Sequence, residues 1–354
     1  MTGSDGAPAA LLESVAPLAE AHDVALFDID GVLLLGHSAV PHAAAALTDL
    51  SATGVRHGYL TNNASRSPAA VADELQAVGI PARAGEVTTS ALAIAGLMSE
   101  ELPAGSRVLV VGGPGLREAT SETGLTVVDS AEDHPAAVVQ GLALDIGWPE
   151  LSEAALAVRA GATYFAPNLD ATVPRERGLM IGNGSLVAAV VNATGVTPRT
   201  AGKPAPGIFH QALQRVGGRN PVVCGDRLDT DIAGARAAGF PALHVLTGVD
   251  RARAVLLAPP DHRPSYLGTD LRALSGPHPA PREEAGWWTC GGSAARSVNG
   301  ALELRSDGSD LPLESADLTM DDYRCLASAA WSAADAGAPI DSAALPELRI
   351  SAPR

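Results

Sequence analysis

Residues 24–35 read VALFDIDGVLLL, and this stretch decides the fold. Its first four residues form a continuous apolar run, which is typical of a strand buried on both faces of a sheet. The run ends on two carboxylates, Asp28 and Asp30, with Gly31 directly behind them. In an open α/β sheet, ligands bind outside the carboxyl ends of the strands. We therefore expect an α/β fold with both acids in its active-site crevice.

The spacing of these two acids favours a division of labour. Neighbours one residue apart point to opposite sides of an extended chain, so Asp28 and Asp30 cannot serve as equivalent ligands unless the strand has ended. The first carboxylate is suited to attack phosphorus and hold a metal, and the second, displaced by the turn at Gly31, to transfer a proton. The alternative is a turn-forming pair of aspartates at a strand end.

Composition narrows the class of protein. A chain of 354 residues with 46% hydrophobic residues predicts two or three domains with ample core. A net charge of −16 argues against nucleic acid or an anionic membrane as partner and favours Mg²⁺ as the local cation for a small phosphorylated substrate. Three separated cysteines, no signal-peptide pattern and no long apolar stretch predict a cytoplasmic protein.

Polar residues also follow two further predicted strands and precede one predicted helix. Thr61, Asn62 and Asn63 follow the strand predicted at 55–60, where they suit either phosphate binding or an Asx-type turn, and Arg66 suits either substrate or solvent. Lys203 precedes a helix that begins at Pro204, a position that favours an anion. The strand predicted at 221–224 leads into GDRLDTDI, whose three acids indicate a metal, with a helix N-cap as the alternative for Asp229.

Two segments stand apart from this pattern. Residues 86–197 repeat an α/β pattern of their own, which predicts an inserted domain. Its loops carry Asn168, Asp170 and Asn183, which are either turn formers or substrate contacts. A Pro-rich linker at 276–286 precedes a module at 277–354 with a predicted hairpin around Asn299-Gly300 and a helix at 318–334.

The motifs D28-x-D30-G, T61-N-N, K203-P and G225-D226-x-x-x-T230-D231 resemble, in order, the four motifs of the haloacid dehalogenase-like phosphatases. The resemblance is to the subclass with a large α/β cap (type IIA) between the second and third motifs. It implies a Rossmann-like parallel-sheet core at 1–85 and 198–276, a cap at 86–197 and an additional small α+β module at the C-terminus. Relatives of this kind often form homodimers through the cap.

The resemblance also implies roles. Asp28 would be the nucleophile that forms an aspartyl-phosphate and Asp30 the general acid and base, while Thr61 and Lys203 would hold the phosphoryl oxygens. Mg²⁺ would bind the Asp28 carboxylate, the Asp30 backbone carbonyl and Asp226, with Asp231 in support. Expected substrate contacts come from the remaining polar positions, namely Asn62, Asn63, Arg66, Asn168, Asp170 and Asn183.

The stretches PNLDATVPRERGL, GNGSLVAA, GKPAP and RPSYLGTDLRAL are most similar to the glycerol-3-phosphate phosphatase branch of that subclass. This implies hydrolysis of glycerol 3-phosphate to glycerol and phosphate. Pyridoxal phosphate, phosphoglycolate and nucleoside monophosphates are the alternative substrates. A regulatory protein that binds a phosphorylated ligand with little turnover is the alternative of another class.

Overall fold

The apolar run at 24–27 forms, together with Asp28, a fully buried strand. The structure is a computed structural model that describes residues 10–175, 177–314 and 317–352. The strands, in chain order, are β1 Val24–Asp28, β2 Leu34–Leu35, β3 Ser38–Ala39, β4 Arg56–Thr61, β5 Val87–Thr89, β6 Arg107–Val111, β7 Thr126–Val128, β8 Ala137–Gln140, β9 Thr163–Ala166, β10 Thr172–Arg175, β11 Gly178–Ile181, β12 Arg199–Thr200, β13 Pro221–Gly225, β14 Ala242–Val245, β15 Tyr266–Gly268, β16 Arg282–Glu284, β17 Trp287–Cys290, β18 Ser293–Val298, β19 Ala301–Ser306, β20 Ser309–Asp310, β21 Asp317–Leu318 and β22 Arg349–Ile350. The helices are α1 Leu18–Ala21, α2 Ala43–Ala52, α3 Pro68–Ala77, α4 Ser90–Glu101, α5 Pro114–Glu122, α6 Trp148–Arg159, α7 Asn183–Thr194, α8 Pro206–Val216, α9 Ala233–Ala237, α10 Ala252–Leu256 and α11 Met320–Asp335.

The chain forms two compact units, with one boundary inside β4. The first unit contains the residues up to Leu35, 39–57 and those from Gly218 onwards, and the second contains 36–38 and 58–217. In the first unit, β15, β14, β13 and β1 pair in parallel in that order. Because Phe27 pairs with Cys224, the residues that follow β1 and β13 emerge side by side at one sheet edge.

The second unit is built around a parallel sheet of its own, in the order β12-β9-β8-β6-β7. Alternate residues of β6 point to opposite faces: Val108 and Val110 pack into the same apolar cluster as α4 and α5, whereas Leu109 and Val111 pack with α6 and α7. A strand covered on both faces has to be apolar throughout, which explains the continuous run in this segment. In the same unit, β4 pairs in parallel with β5.

The C-terminal segment folds with the first unit as an antiparallel sheet in the order β16-β17-β18-β19-β20, and α11 packs on it. Asn299 and Gly300 both have positive φ, at 50° and 79°, as a type I′ hairpin turn requires. Helix α11 begins at a capping box in which Thr319 and Asp322 bond each other's main-chain N–H groups. The predicted α/β class, with parallel-sheet cores and an additional C-terminal module, is confirmed.

The structure differs from the predicted linker. Residues 282–284 form β16, and His278 is buried and pairs through its main chain with Ser14. The composition of this segment favours a loop, but pairing with β17 gives it a strand partner that lies outside the local sequence. Among the described residues, no helix is both long and apolar enough to cross a bilayer.

Candidate active site

Three carboxylates, Asp28, Asp226 and Asp231, meet at the sheet edge of the first unit, and we call them the acid cluster. Asp28 is the last residue of β1, Asp226 directly follows β13, and one oxygen from each of the three lies within 4.8 Å of the others. All three side chains are buried. Like charges this close repel strongly without a cation, and carboxylate oxygens are the ligands that Mg²⁺ prefers. The donor set therefore fits a hard divalent cation.

A widened helical turn brings Asp231 to this cluster. Residues 228–232 form a π-helical turn in which the N–H of Ile232 donates to the carbonyl of Arg227, five residues back, over 3.1 Å. Asp231 Oδ2 accepts the N–H groups of Asp226 and Arg227 at 3.2 and 3.1 Å. Asp229 is not the N-cap of this turn and instead pairs with the guanidinium of Arg227 at 2.8 Å.

Asp226 is held from several directions. Its Oδ2 accepts the N–H of Val249 at 2.7 Å, and its carbonyl oxygen accepts Nε2 of His244 and the N–H of Asp250, each at 3.1 Å. Burial lowers the pKa of His244 to about 4, so this imidazole is neutral and can act as a donor at physiological pH. The main chain of Gly31 packs closely against the same carboxylate. Position 31 requires glycine, because its φ is +93° and a Cβ there would lie 2.4 Å from Asp226 Oδ2.

Asp30 differs from Asp28 in environment. Asp28 is 8% exposed, whereas Asp30 is exposed just beyond the end of β1. The turn that follows is closed by the N–H of Gly31, which donates to the carbonyl of Leu34 over 2.7 Å. The strand has thus ended before Asp30, and the two acids lie in different environments.

A second polar cluster lies in the second unit, and we call it the amide cluster: Asn62, Asn168, Asn183, Asp170 and Lys203. Asn62 Oδ1 accepts the main-chain N–H of Lys203 at 2.8 Å, and its Nδ2 lies 3.0 Å from the carbonyl oxygen of Lys203 and 3.2 Å from both carboxylate oxygens of Asp170. Asn168 and Asn183 are buried and bond mainly to main-chain carbonyls.

The other predicted contacts lie in the turn after β4. Thr61 is buried, and its hydroxyl accepts the N–H of Asn63 at 3.0 Å. Asn63 Oδ1 accepts the N–H of Ser65 at 2.9 Å, which is the Asx-type turn given above as the alternative. Arg66 forms an ion pair with Glu74 at 2.5 Å. Asn63 and Arg66 therefore bond to residues nearby in the chain, and their contacts with substrate stay predictions.

Sequence reasoning did not find His244, Val249 or Asp250. They lie in β14 or in the loop after it, and two of them act on Asp226 through main-chain groups. A main-chain donor leaves no trace in residue type. The sequence signal that could have indicated a functional contact is His244, a polar residue within the apolar strand ALHV.

Comparison with known proteins shows the family to which the chain belongs. A family model for haloacid dehalogenase-like hydrolases matches residues 25–126, and a second model of the same kind matches residues 200–274. The D-glycerol 3-phosphate phosphatase of Mycobacterium tuberculosis is 44% identical over 318 residues, which span 89% of this chain and 88% of that protein. The chain belongs to the haloacid dehalogenase-like hydrolases.

A solved structure and a second curated relative define the likeness within the family. A crystal structure of glycerol phosphate phosphatase from Mycobacterium tuberculosis in complex with magnesium matches with a TM-score of 0.81 and 41% identity, over 96% of both chains. The acid sugar phosphatase of Staphylococcus aureus is 39% identical over 226 residues, which span 63% of this chain and 86% of that protein. This haloacid dehalogenase-like hydrolase therefore resembles phosphatases of small phosphorylated molecules.

Proposed function

We propose that this hydrolase is a Mg²⁺-dependent phosphomonoesterase that acts through an aspartyl-phosphate, with glycerol 3-phosphate as its substrate. The observation that carries the proposal is the buried acid cluster, in which Asp28 lies beside two further carboxylates at the end of the first strand. The 44% identity to a D-glycerol 3-phosphate phosphatase supports the substrate.

In the first half of the reaction, a carboxylate oxygen of Asp28 attacks phosphorus and the ester oxygen leaves as an alkoxide. Asp30 donates a proton to that alkoxide, so the alcohol departs neutral. In the second half, Asp30 takes a proton from a water molecule that attacks phosphorus, and inorganic phosphate leaves while the Asp28 carboxylate is restored. The exposure of Asp30 supports this role, because it has to meet both the leaving group and water.

Thr61 and Lys203 would bind the phosphoryl oxygens, whose negative charge is redistributed in the transition state. The carboxylates of Asp28 and Asp226 and the main-chain carbonyl of Asp30 would hold Mg²⁺, with Asp231 fixing the loop around them. When bound, the ion reduces the repulsion between the phosphoryl group and the acid cluster. All of these roles rest on the resemblance together with the geometry of each unit.

The test is phosphate release with Mg²⁺, and with EDTA as control, from glycerol 3-phosphate, a hexose phosphate, pyridoxal phosphate, phosphoglycolate and nucleoside monophosphates. We expect turnover that EDTA abolishes and a preference for glycerol 3-phosphate. Metal-dependent turnover of another compound in preference would overturn the substrate, and no release from any would overturn the enzyme class in favour of a binding protein.

We further propose the division into a core at 1–85 and 198–276, a cap at 86–197 and a module at 277–354, and a homodimer formed through the cap. Strand β11 in the second unit supports the dimer, since Leu179 and Ile181 are 72% and 65% exposed. A cytoplasmic location is supported by three free cysteines. Sedimentation of the purified protein tests the dimer.

A further inference from the structure

The carboxamide of Asn62 pairs with both main-chain groups of one residue, Lys203. Its Oδ1 accepts the Lys203 N–H at 2.8 Å, and its Nδ2 donates to the Lys203 carbonyl at 3.0 Å. These two bonds fix the peptide groups on either side of the Lys203 Cα. They therefore set the origin and direction of the lysine side chain, which is itself 6% exposed.

The same amide nitrogen also holds Asp170. Nδ2 lies 3.2 Å from each carboxylate oxygen of Asp170. A carboxamide has two N–H groups, and here one faces the Lys203 carbonyl and the other the carboxylate. Protein groups thus use both donors of Asn62, and its side chain has no N–H left for a substrate.

Further hydrogen bonds hold the main chain of Asn62 and the loop that contains Asn168. Its carbonyl oxygen accepts Nδ2 of Asn168 and the hydroxyl of Ser90, both at 2.6 Å. Asn168 Oδ1 in turn accepts the N–H of Asp170 at 3.2 Å, and Asn183 donates to the Asn168 carbonyl at 2.9 Å. Asn168 and Asn183 are 7% and 2% exposed, so they support this loop from within the protein.

Gly202 provides an independent indication that this contact is tightly built. A Cβ at this position would lie 2.8 Å from Asn62 Oδ1 and 2.3 Å from the carbonyl oxygen of Pro167. The N–H of Gly202 donates to that same carbonyl at 2.8 Å. Only glycine lets the chain before Lys203 approach this closely, which explains the AGK sequence at 201–203.

We propose that Asn62 is a positioning residue whose carboxamide holds the backbone of Lys203 and the carboxylate of Asp170 in fixed relation, instead of contacting the substrate. The inference rests on the proposed function, in which Lys203 binds the transferring phosphoryl group. Loss of the carboxamide releases Lys203, and small displacements of a catalytic group cost about 10- to 100-fold in rate. The cost falls on kcat more than on KM, because the lysine interaction strengthens in the transition state.

The discriminating variant is Asn62→Asp, which has the same shape. An ionised carboxylate at position 62 still accepts the Lys203 N–H but has no donor, and it places a second negative charge beside Asp170. That repulsion raises the pKa of the introduced group, and its protonated form regains one donor as the pH falls. The activity of Asn62→Asp relative to wild type should therefore rise as the pH is lowered from 8 to 5.

The probe is glycerol 3-phosphate at saturating concentration with Mg²⁺, and the released phosphate is measured across this pH range. Asn62→Ala lacks the carboxyl and should show a reduced kcat whose ratio to wild type does not change with pH. Asn192→Asp makes the same charge change at an exposed position of α7 in the same unit and should match wild type. Thermal melts of each variant check the fold.

Wild-type kcat for Asn62→Asp at pH 8, or a relative activity that stays equally low from pH 8 to 5, would overturn the inference. A wild-type enzyme that releases no phosphate overturns the proposed function, and the inference with it. An active wild type with unaffected Asn62 variants overturns the inference alone, so the two failures are distinguishable.

Discussion

At the residue scale, the chemistry centres on Asp28. Asp28→Asn keeps the shape of the side chain but removes the nucleophilic charge, and we expect phosphate release to fall by at least about 10³-fold. The substitution also removes one of three mutually repelling charges from the acid cluster, so the melting temperature without Mg²⁺ should stay the same or rise. Wild-type turnover by this variant would remove Asp28 from its role.

Buried histidines give the protein a pH-dependent stability. Burial lowers the pKa of both His244 and His278 from 6.5 to about 4. Below pH 6.5 the unfolded chain binds protons that the folded chain does not, so the contribution of these histidines to the free energy of unfolding should fall as the pH drops from 6.5 to 4 and level off below that. Each histidine contributes a slope of up to about 1.4 kcal/mol per pH unit.

Urea unfolding at several pH values measures this slope. His278→Gln should reduce the slope of the free energy of unfolding against pH by up to about 1.4 kcal/mol per pH unit, which corresponds to one proton. His134→Asn, at an exposed position, should leave the slope unchanged. Equal slopes in wild type and His278→Gln would show that His278 titrates alike in the folded and unfolded states.

Part of the candidate site could be predicted from residue type alone, and the rest could not. Acids at the ends of apolar strands are costly without a function, so Asp28 and Asp226 were predictable and lie together as expected. Asparagines suit turns, caps, substrates and buried networks equally well, so the sequence could not show that Asn62 bonds to Lys203, 141 residues away.

At the element scale, helix α11 is attached to the first unit by an ion pair between a buried arginine and a partly exposed aspartate. Arg263 is 1% exposed and binds Asp335, the last residue of α11, through both terminal nitrogens at 2.7 and 2.8 Å. Asp335→Ala leaves that guanidinium without its counter-charge but with its bonds to the carbonyls of Ala258 and Trp331, and we expect a loss of about 1–3 kcal/mol in the free energy of unfolding.

The control is Glu303→Ala, which removes the exposed ion pair to Arg296 in the C-terminal sheet. Both of those side chains are well solvated, so the expected loss is below about 1 kcal/mol. Denaturant unfolding of the two variants compares the pairs. Equal losses would mean that the Arg263 pair does not anchor α11.

Elements set by local signals were predictable, and elements set by distant partners were not. The hairpin at Asn299-Gly300 follows from its turn residues, and α11 from its apolar pattern and length. Strand β16 depends on pairing with β17, and the π-helical turn at 228–232 depends on the bonds that Asp231 makes to main-chain N–H groups. Neither interaction has a short-range sequence signal.

At the scale of the whole molecule, the C-terminal segment is part of the first unit. Trp331 Nε1 donates to the carbonyl of Val255 at 2.8 Å, and Arg253 donates to the carbonyls of Ser342 and Leu345. A chain ending at Gly276 loses these bonds, the ion pair to Asp335 and the packing of α11, and we expect its melting temperature to fall by about 10 °C or more.

A shortened chain with the wild-type melting temperature and turnover would show that residues 277–354 fold separately and leave the hydrolase core unchanged.

The most direct test of the central claim is a rapid acid quench with ³²P-labelled glycerol 3-phosphate and Mg²⁺, followed by isolation of the protein. We expect label on the protein that is stable in acid, is released by hydroxylamine as an acyl phosphate would be, and is absent from Asp28→Asn. Phosphate release by Asp28→Asn at the wild-type rate, with no label on either protein, would contradict an aspartyl-phosphate at Asp28.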